Sequence, residues 1–380
     1  MAACTSGGGG SNPPSGPCTD GQIQCDGREL QTCSGGAFTT TEVCDFACSA
    51  DLGRCAECDP GVGTGCDGND VVGCSADGTL GEVISTCNAE QQCVAGVCSD
   101  ECTADGVDLI YVVDDNNAIY SFDPRKIAQG QATAFTELGD LNCNAPGPAV
   151  QGWGGGITPF SMAVDRDAVA KVLYTNGRIY NVSTTQGAVT CADSGYTPLQ
   201  GGDAFRLFGM GYVSDVAGGD TETMFVSGSM HVQGLECENS SYCGTLGSVN
   251  SSNTLASIGQ MPAAQQEAEL TGDGNGQLWA FFPGASAASV KPIDKTNATG
   301  GTSISIPGGL GGSAQAWAFA HWGGKFYIFV TINTGGGGTN SKVLVLTKAG
   351  VVTTAFENMP MKLVGAGVST CAPVVEPPIS

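Results

Sequence analysis

The chain has 380 residues, 59 of them glycine, with only 13% charged residues and a formal net charge of −23. That length leaves room for two or three domains with real cores, and the glycine content points to a turn-rich, all-β protein. A surface so acidic repels phosphate backbones and anionic headgroups, which argues against nucleic acid as a partner. The charge is spread out, with 15 acidic and 2 basic residues up to residue 102 and 22 acidic and 12 basic after it. No apolar run reaches membrane-spanning length, and helical periodicity is not sustained; Pro262–Leu270 comes nearest.

Nineteen cysteines beside two histidines exclude an ordinary reducing cytosol. Cys55 and Cys58 have the spacing of a zinc pair, but neither a second such pair nor paired histidines completes the module, so disulfides are expected and metal is not. At residues 1–16, Ala2-Ala3-Cys4 resembles the end of a bacterial lipobox, which makes Cys4 the expected acceptor of diacylglycerol. The glycine-, serine- and proline-rich stretch Ser6–Gly16 then reads as a flexible tether. Setting Cys4 aside leaves an even eighteen cysteines.

Residues 17–56 and 57–101 form two copies of one cysteine-rich module, each with six cysteines and a shared C-D-G, then C-S, then a glycine-centred turn. Units of about 40 residues bury too little apolar surface to fold unaided, so three disulfides each would supply the constraint. Fifteen pairings are open within each six. The modules suit recognition, a stiff stalk or a protease-resistant spacer.

From residue 102 to 380 a different repeat takes over, first legible in Val107–Asp123. Leu109–Val113 and Ala118–Phe122 are strand-sized apolar runs split by Asp114-Asp115-Asn116-Asn117, a cluster that tolerates the positive φ of a hairpin. The phrase returns at Ser161–Thr184, Arg206–Ser229, Ala268–Gly284 and Ala316–Ile332. Five copies over this length suit four-stranded blades, so the expected fold is a five-bladed β-propeller preceded by two small disulfide-rich modules. The first copy lacks an inner strand, while Lys362–Gly367 reads almost as Arg206–Gly211 and has no strand after it. Lys362–Thr370 is therefore expected beside Leu109–Val113, closing the ring and covering two sheet edges.

The strings SMAVDRDAVAKVLYTNGRIYNVST, MGYVSDVAGGDTETMFVS, AELTGDGNGQLWAFFP, AQAWAFAHWGGKFYIF and VGAGVSTCAP together resemble a propeller family of myxobacterial secreted lipoproteins, over roughly residues 107–373. That resemblance implies the fold and the compartment and brings no assigned activity.

Cysteine parity adds a constraint. Residues 18–102 hold thirteen cysteines and residues 143–371 hold five, so one bond must cross, and Cys102 with Cys371 is the expected pair. Cys143 with Cys191 and Cys237 with Cys243 complete the set.

Signatures of chemistry are few. H-E-x-x-H, G-x-S-x-G and a Walker lysine are all missing from the sequence, and Gly209-x-Gly211 reads as glycine for close packing rather than a nucleotide loop. His231 and His321 have no sequence reason to meet. Carboxylates on or beside inner strands would converge at a propeller axis; these are Asp165, Asp167, Asp215, Glu269 and Asp273. Asp165, Asp215 and Glu269 are the candidate binding residues, with turn formation, as for Asp273 between glycines, the plainer reading of each. Paired there, they would act on a glycoside or hold calcium, the one cofactor the sequence leaves open. Trp153, in the glycine loop Gln151–Gly156, has no evident core to fill and is the expected contact residue. Taken together, these features favour a non-enzymatic, lipid-anchored surface protein. Its propeller would bind an envelope or extracellular protein or a glycan, and it would touch the membrane through the anchor alone. A glycan-active hydrolase and a structural subunit of an extracellular assembly are the alternatives.

Overall fold

The computed structural model describes residues 18–377, apart from 27–28, 45–47, 51, 69, 88–91, 95, 100–101, 103, 230–243, 263–266 and 285–286. Cys4 and the Cys237–Cys243 pair lie outside the described residues, as do His231 and much of the stretch after Pro262. Glu269 and Leu270, at the far end of that stretch, open a strand rather than continue a helix.

Each cysteine-rich module is a three-stranded antiparallel sheet followed by a two-stranded ribbon. The sheets comprise Ile23–Asp26, Glu29–Ser34 and Ala37–Val43, then Thr64–Asp67, Asp70–Cys74 and Leu80–Thr86. Sheet pairing selects one connectivity from the fifteen, and it is the same in both copies. The first cysteine bonds the third, the second the fifth and the fourth the sixth: Cys18–Cys33, Cys25–Cys48 and Cys44–Cys55, then Cys58–Cys74, Cys66–Cys93 and Cys87–Cys98. Bonds on this scale place the chain in an oxidising compartment. Among the described residues no helix is long and apolar enough to cross a membrane.

The rest is all-β and propeller-like, built of five four-stranded antiparallel sheets. Their innermost strands are Leu363–Val368 in the first sheet, then Pro159–Val164, Leu207–Ser214, Glu269–Gly272 and Ser313–Trp322. The first sheet is assembled from both ends of the domain. Ile110–Asp114 pairs with Ala118–Phe122 on one side and with Leu363–Val368 on the other, Ile110 opposite Val368 and Val112 opposite Ala366. Asn117, in the hairpin between the first two strands, takes the positive φ (70°) that its cluster foreshadowed.

Strand periodicity explains how each sheet serves two cores. Successive side chains point to opposite faces. Ile110 and Val112 therefore pack against the fifth sheet, and Tyr111 and Val113 against the second. In the fourth sheet Trp279 and Phe281 face the fifth, while Leu278, Ala280 and Phe282 face the third. Both faces are buried, so such strands read as unbroken apolar runs rather than alternating ones. Five apolar clusters result, each between consecutive sheets, and the last joins the fifth sheet back to the first.

Close approach of the inner strands depends on alternate glycines. A Cβ on Gly365 or Gly367 would meet the backbone nitrogen of Met162 or Val164 at 2.8 and 2.7 Å. On Gly209 it would meet the Ala268 carbonyl oxygen at 2.3 Å. These contacts also show that neighbouring inner strands run in the same direction. Two disulfides tie the sheets. Cys102–Cys371 joins the entry to the domain with its last strand, and Cys143–Cys191 links the first two sheets; the Cα separations are 5.5 and 5.1 Å.

Candidate functional site

All five inner strands run the same way, so the domain has one end where they start and one where they finish. At the starting end they surround a cavity of about 280 Å3. Every sheet contributes: Phe160 from the second, Gly209 from the third, Glu269 from the fourth, Trp317 from the fifth and Val364 from the first. Trp153 lines it too, from the loop leading into the second sheet.

Glu269 is the first residue of its strand and is only 3% exposed. Its Oε1 accepts hydrogen bonds from the Ser161 hydroxyl at 2.6 Å and the Met210 backbone N–H at 3.0 Å. An innermost strand has an edge that no other strand covers, and this carboxyl serves one of its amides across the axis. Burial pushes the Glu269 pKa up to about 8, against the opposing pull of these hydrogen bonds. The side chain is then mostly protonated at neutral pH.

Trp153 corrects part of the expectation made for it. Its ring packs edge-on against Phe160, at 5.8 Å between centroids, and is half-buried against the cluster joining the second and third sheets. The glycine loop thus has a core to rest on, and the indole both packs and lines the cavity. Trp317 lines the same cavity. At the rim Lys362 and Asp115 pair at 3.0 Å.

Asp165 and Asp215 do not join them. Asp165 follows the last residue of its inner strand, accepts the N–H groups of Asp167 and Val169, and pairs with Lys171 at 3.1 Å. Asp215 follows the end of the third sheet's inner strand and accepts the Thr223 hydroxyl at 2.7 Å. Asp165 lies four positions beyond Ser161 and Asp215 five beyond Met210, the two residues that bond Glu269, so roughly 13–17 Å of strand rise intervenes. The expected convergence of Asp165, Asp215 and Glu269 is therefore corrected, because side chains at opposite ends of parallel strands cannot meet. Among the described residues no three of His, Cys, Asp and Glu are grouped to hold a metal ion.

The finishing end has its own buried groups. Asp273 caps its turn by accepting the Asn275 and Gln277 N–H groups, and its other oxygen lies 4.0 Å from His321 Nδ1. Burial holds the His321 pKa down at about 4, so the imidazole is neutral. Glu222, which the sequence reading passed over, accepts the Arg166 N–H and the Thr370 hydroxyl, each at 2.8 Å. Desolvation, helped by the nearby Asp165, lifts its pKa to about 7. Arg166 also donates to Thr370 Oγ1 and to the Sγ of Cys102, so this cluster stitches together the first three sheets. Nothing in the polar string Asp220-Thr-Glu-Thr223 signals that burial.

No family model matches the chain, and no curated protein matches it. Among solved structures it is similar to a virginiamycin B lyase from Staphylococcus aureus, at 14% identity over 75% of this chain and 76% of that one, with a TM-score of 0.33. It is likewise similar to a nidogen/laminin complex structure, at 9% identity over 68% and 97% with a TM-score of 0.38. The Dos1 propeller matches at 12% identity over 72% of each chain, with a TM-score of 0.33. The propeller-like architecture stands on its own strand pairing and inter-sheet cores.

Proposed function

We propose that the protein is a non-enzymatic, extracytoplasmic binding protein: a five-bladed propeller carried on two disulfide modules and anchored through a lipid on Cys4. The observation that supports this most is the meeting of Trp153 and Glu269, 116 positions apart in the sequence, in one concave mouth at the domain axis. Concave sites with aromatic walls and few polar groups are where proteins hold ligands. The partner is an envelope or extracellular protein or a glycan that inserts a small group into this mouth.

A glycan-active hydrolase is the competing reading. It needs two carboxyl groups about 5–10 Å apart, one of them free to act on water or sugar. Asp115 is committed to Lys362, and Glu269 is held in the wall by two sheets. Glu267 is the third carboxyl lining the mouth.

The test is affinity capture from an envelope fraction by the purified chain, beside Trp153→Ala and a parallel assay for new reducing ends on envelope polysaccharide. Capture that Trp153→Ala abolishes, with no new reducing ends, is expected. Capture indifferent to Trp153→Ala would remove the mouth from the function. Reducing ends that vanish in Glu267→Gln or Glu269→Gln would establish the hydrolase instead.

A further inference from the structure

The mouth contains a buried acid without a counter-charge. Glu269 has neutral hydrogen-bond partners, and no charged neighbour of either sign acts on it among the described residues. Its Oε1 takes two of these hydrogen bonds, and the side chain lines the cavity. Trp153, Phe160 and Trp317 supply aromatic walls.

We propose that this mouth binds an ammonium group on a slim aliphatic stem, such as a lysine side chain or a small alkylammonium, with Glu269 as its counter-charge. The inference rests on the binding reading above and names the ligand class of the same site. Three observations carry it. Aromatic faces attract cations electrostatically, more strongly where water is excluded. The chain's net charge of −23 concentrates cations around it. The rim does not oppose a cation, because the positive charge of Lys362 is paired with Asp115.

Wall chemistry favours this ligand over a sugar ring. About 280 Å3 lies at the small end of ligand pockets and has room for a single side chain. A sugar would bring several hydroxyls against Trp153, Phe160, Trp317 and the glycine and alanine wall, where each one without a partner carries a cost. It would have to find its partners among Thr158, Gln315 and the charged groups of the mouth. An ammonium group on a hydrocarbon stem needs one anion and apolar walls, and the mouth provides both.

Proton balance follows from the chemistry. The ammonium displaces the proton of the Glu269 carboxyl, the carboxylate pairs with the cation, and one proton leaves to solvent for each ligand bound. Calorimetry of the full chain should therefore use tetramethylammonium and n-butylammonium as probes, and 3,3-dimethylbutan-1-ol as a neutral control, in buffers of different ionisation enthalpy. Expected are affinity rising on the order of a hundredfold from pH 6 to pH 9 and nearly one proton released at pH 6. Glu269→Gln should flatten the pH dependence and weaken binding at pH 9, while Trp153→Ala should weaken it at both. A lysine-containing peptide that competes with tetramethylammonium would place the ammonium on a partner protein. Competition by alkylammonium salts alone would place it on a small molecule.

A neutral alcohol binding as tightly as the cations would overturn the ammonium assignment. So would cation binding without proton release, or no cation binding at pH 9 in a protein whose envelope capture still depends on Trp153. In each case the binding reading would stand or fall separately, by the capture assay.

Discussion

Replacing Glu269 with glutamine tests the central electrostatic feature of the domain. The amide keeps the shape, its oxygen can accept from Ser161 and Met210, and its nitrogen takes the place of the other carboxyl oxygen. In the folded chain the Glu269 proton is held up to about pH 8, whereas the unfolded chain releases it near the ordinary 4.5. Between these values folding takes up a proton, so this group's contribution is fully present below 4.5 and is lost as the pH rises through 8. One pH unit corresponds to about 1.4 kcal/mol, so the wild type should lose about 2 kcal/mol between pH 6.5 and 8 that Glu269→Gln keeps. His321 works the other way. Its depressed pKa removes stability as the pH falls from 6.5 towards about 4, which is why the informative window lies above 6.5. Glu222 titrates near 7 but is present in both proteins and cancels in the difference. Denaturant unfolding followed by tryptophan fluorescence is the assay, because all four tryptophans lie beyond residue 102 and report the propeller domain alone. A stability difference between the two proteins that stays constant from pH 6.5 to 8 would refute the reasoning.

Deleting Lys362–Ser380 removes the first sheet's inner strand and Cys371 together, so the domain should lose its cooperative transition; a truncated chain that still melts cooperatively would contradict this. Cys102→Ser with Cys371→Ser opens a loop spanning 269 residues and should lower stability by about 5 kcal/mol on the loop-entropy model, measured by the same unfolding assay. Gly367→Val drives a side chain into the Val164 backbone and should destabilise by more than about 3 kcal/mol, whereas Val351→Thr on the exposed rim should change stability by less than about 0.5 kcal/mol. Mass spectrometry of material made with its native leader should show a diacylglyceryl group on Cys4, and an unmodified thiol there would end the lipid-anchor proposal.

Much of the architecture was legible in the sequence, because it rests on local periodicity and on counting. Apolar strands such as Leu278–Phe282 announce burial on both faces, since each face must fill a core between two sheets. The likeness of Lys362–Gly367 to Arg206–Gly211 reflects one steric need, glycine where an inner strand touches its neighbour. Odd cysteine counts on both sides required a crossing bond whatever the fold. The site was legible only one residue at a time. Trp153 and Glu269 stood out individually, but only strand direction shows that they share one end of the axis while Asp165 and Asp215 belong to the other. Sequence pattern marks which face of a strand a residue occupies, not which end of the domain that strand's start will meet. Glu222 was invisible for a related reason. Its burial comes from three sheets closing over it, with donors at Arg166 and Thr370, 56 and 148 residues away. Elevated acidity constants at Glu222 and Glu269 are thus products of tertiary burial alone, because a carboxyl's pKa depends on what surrounds it and its chain neighbours do not specify that.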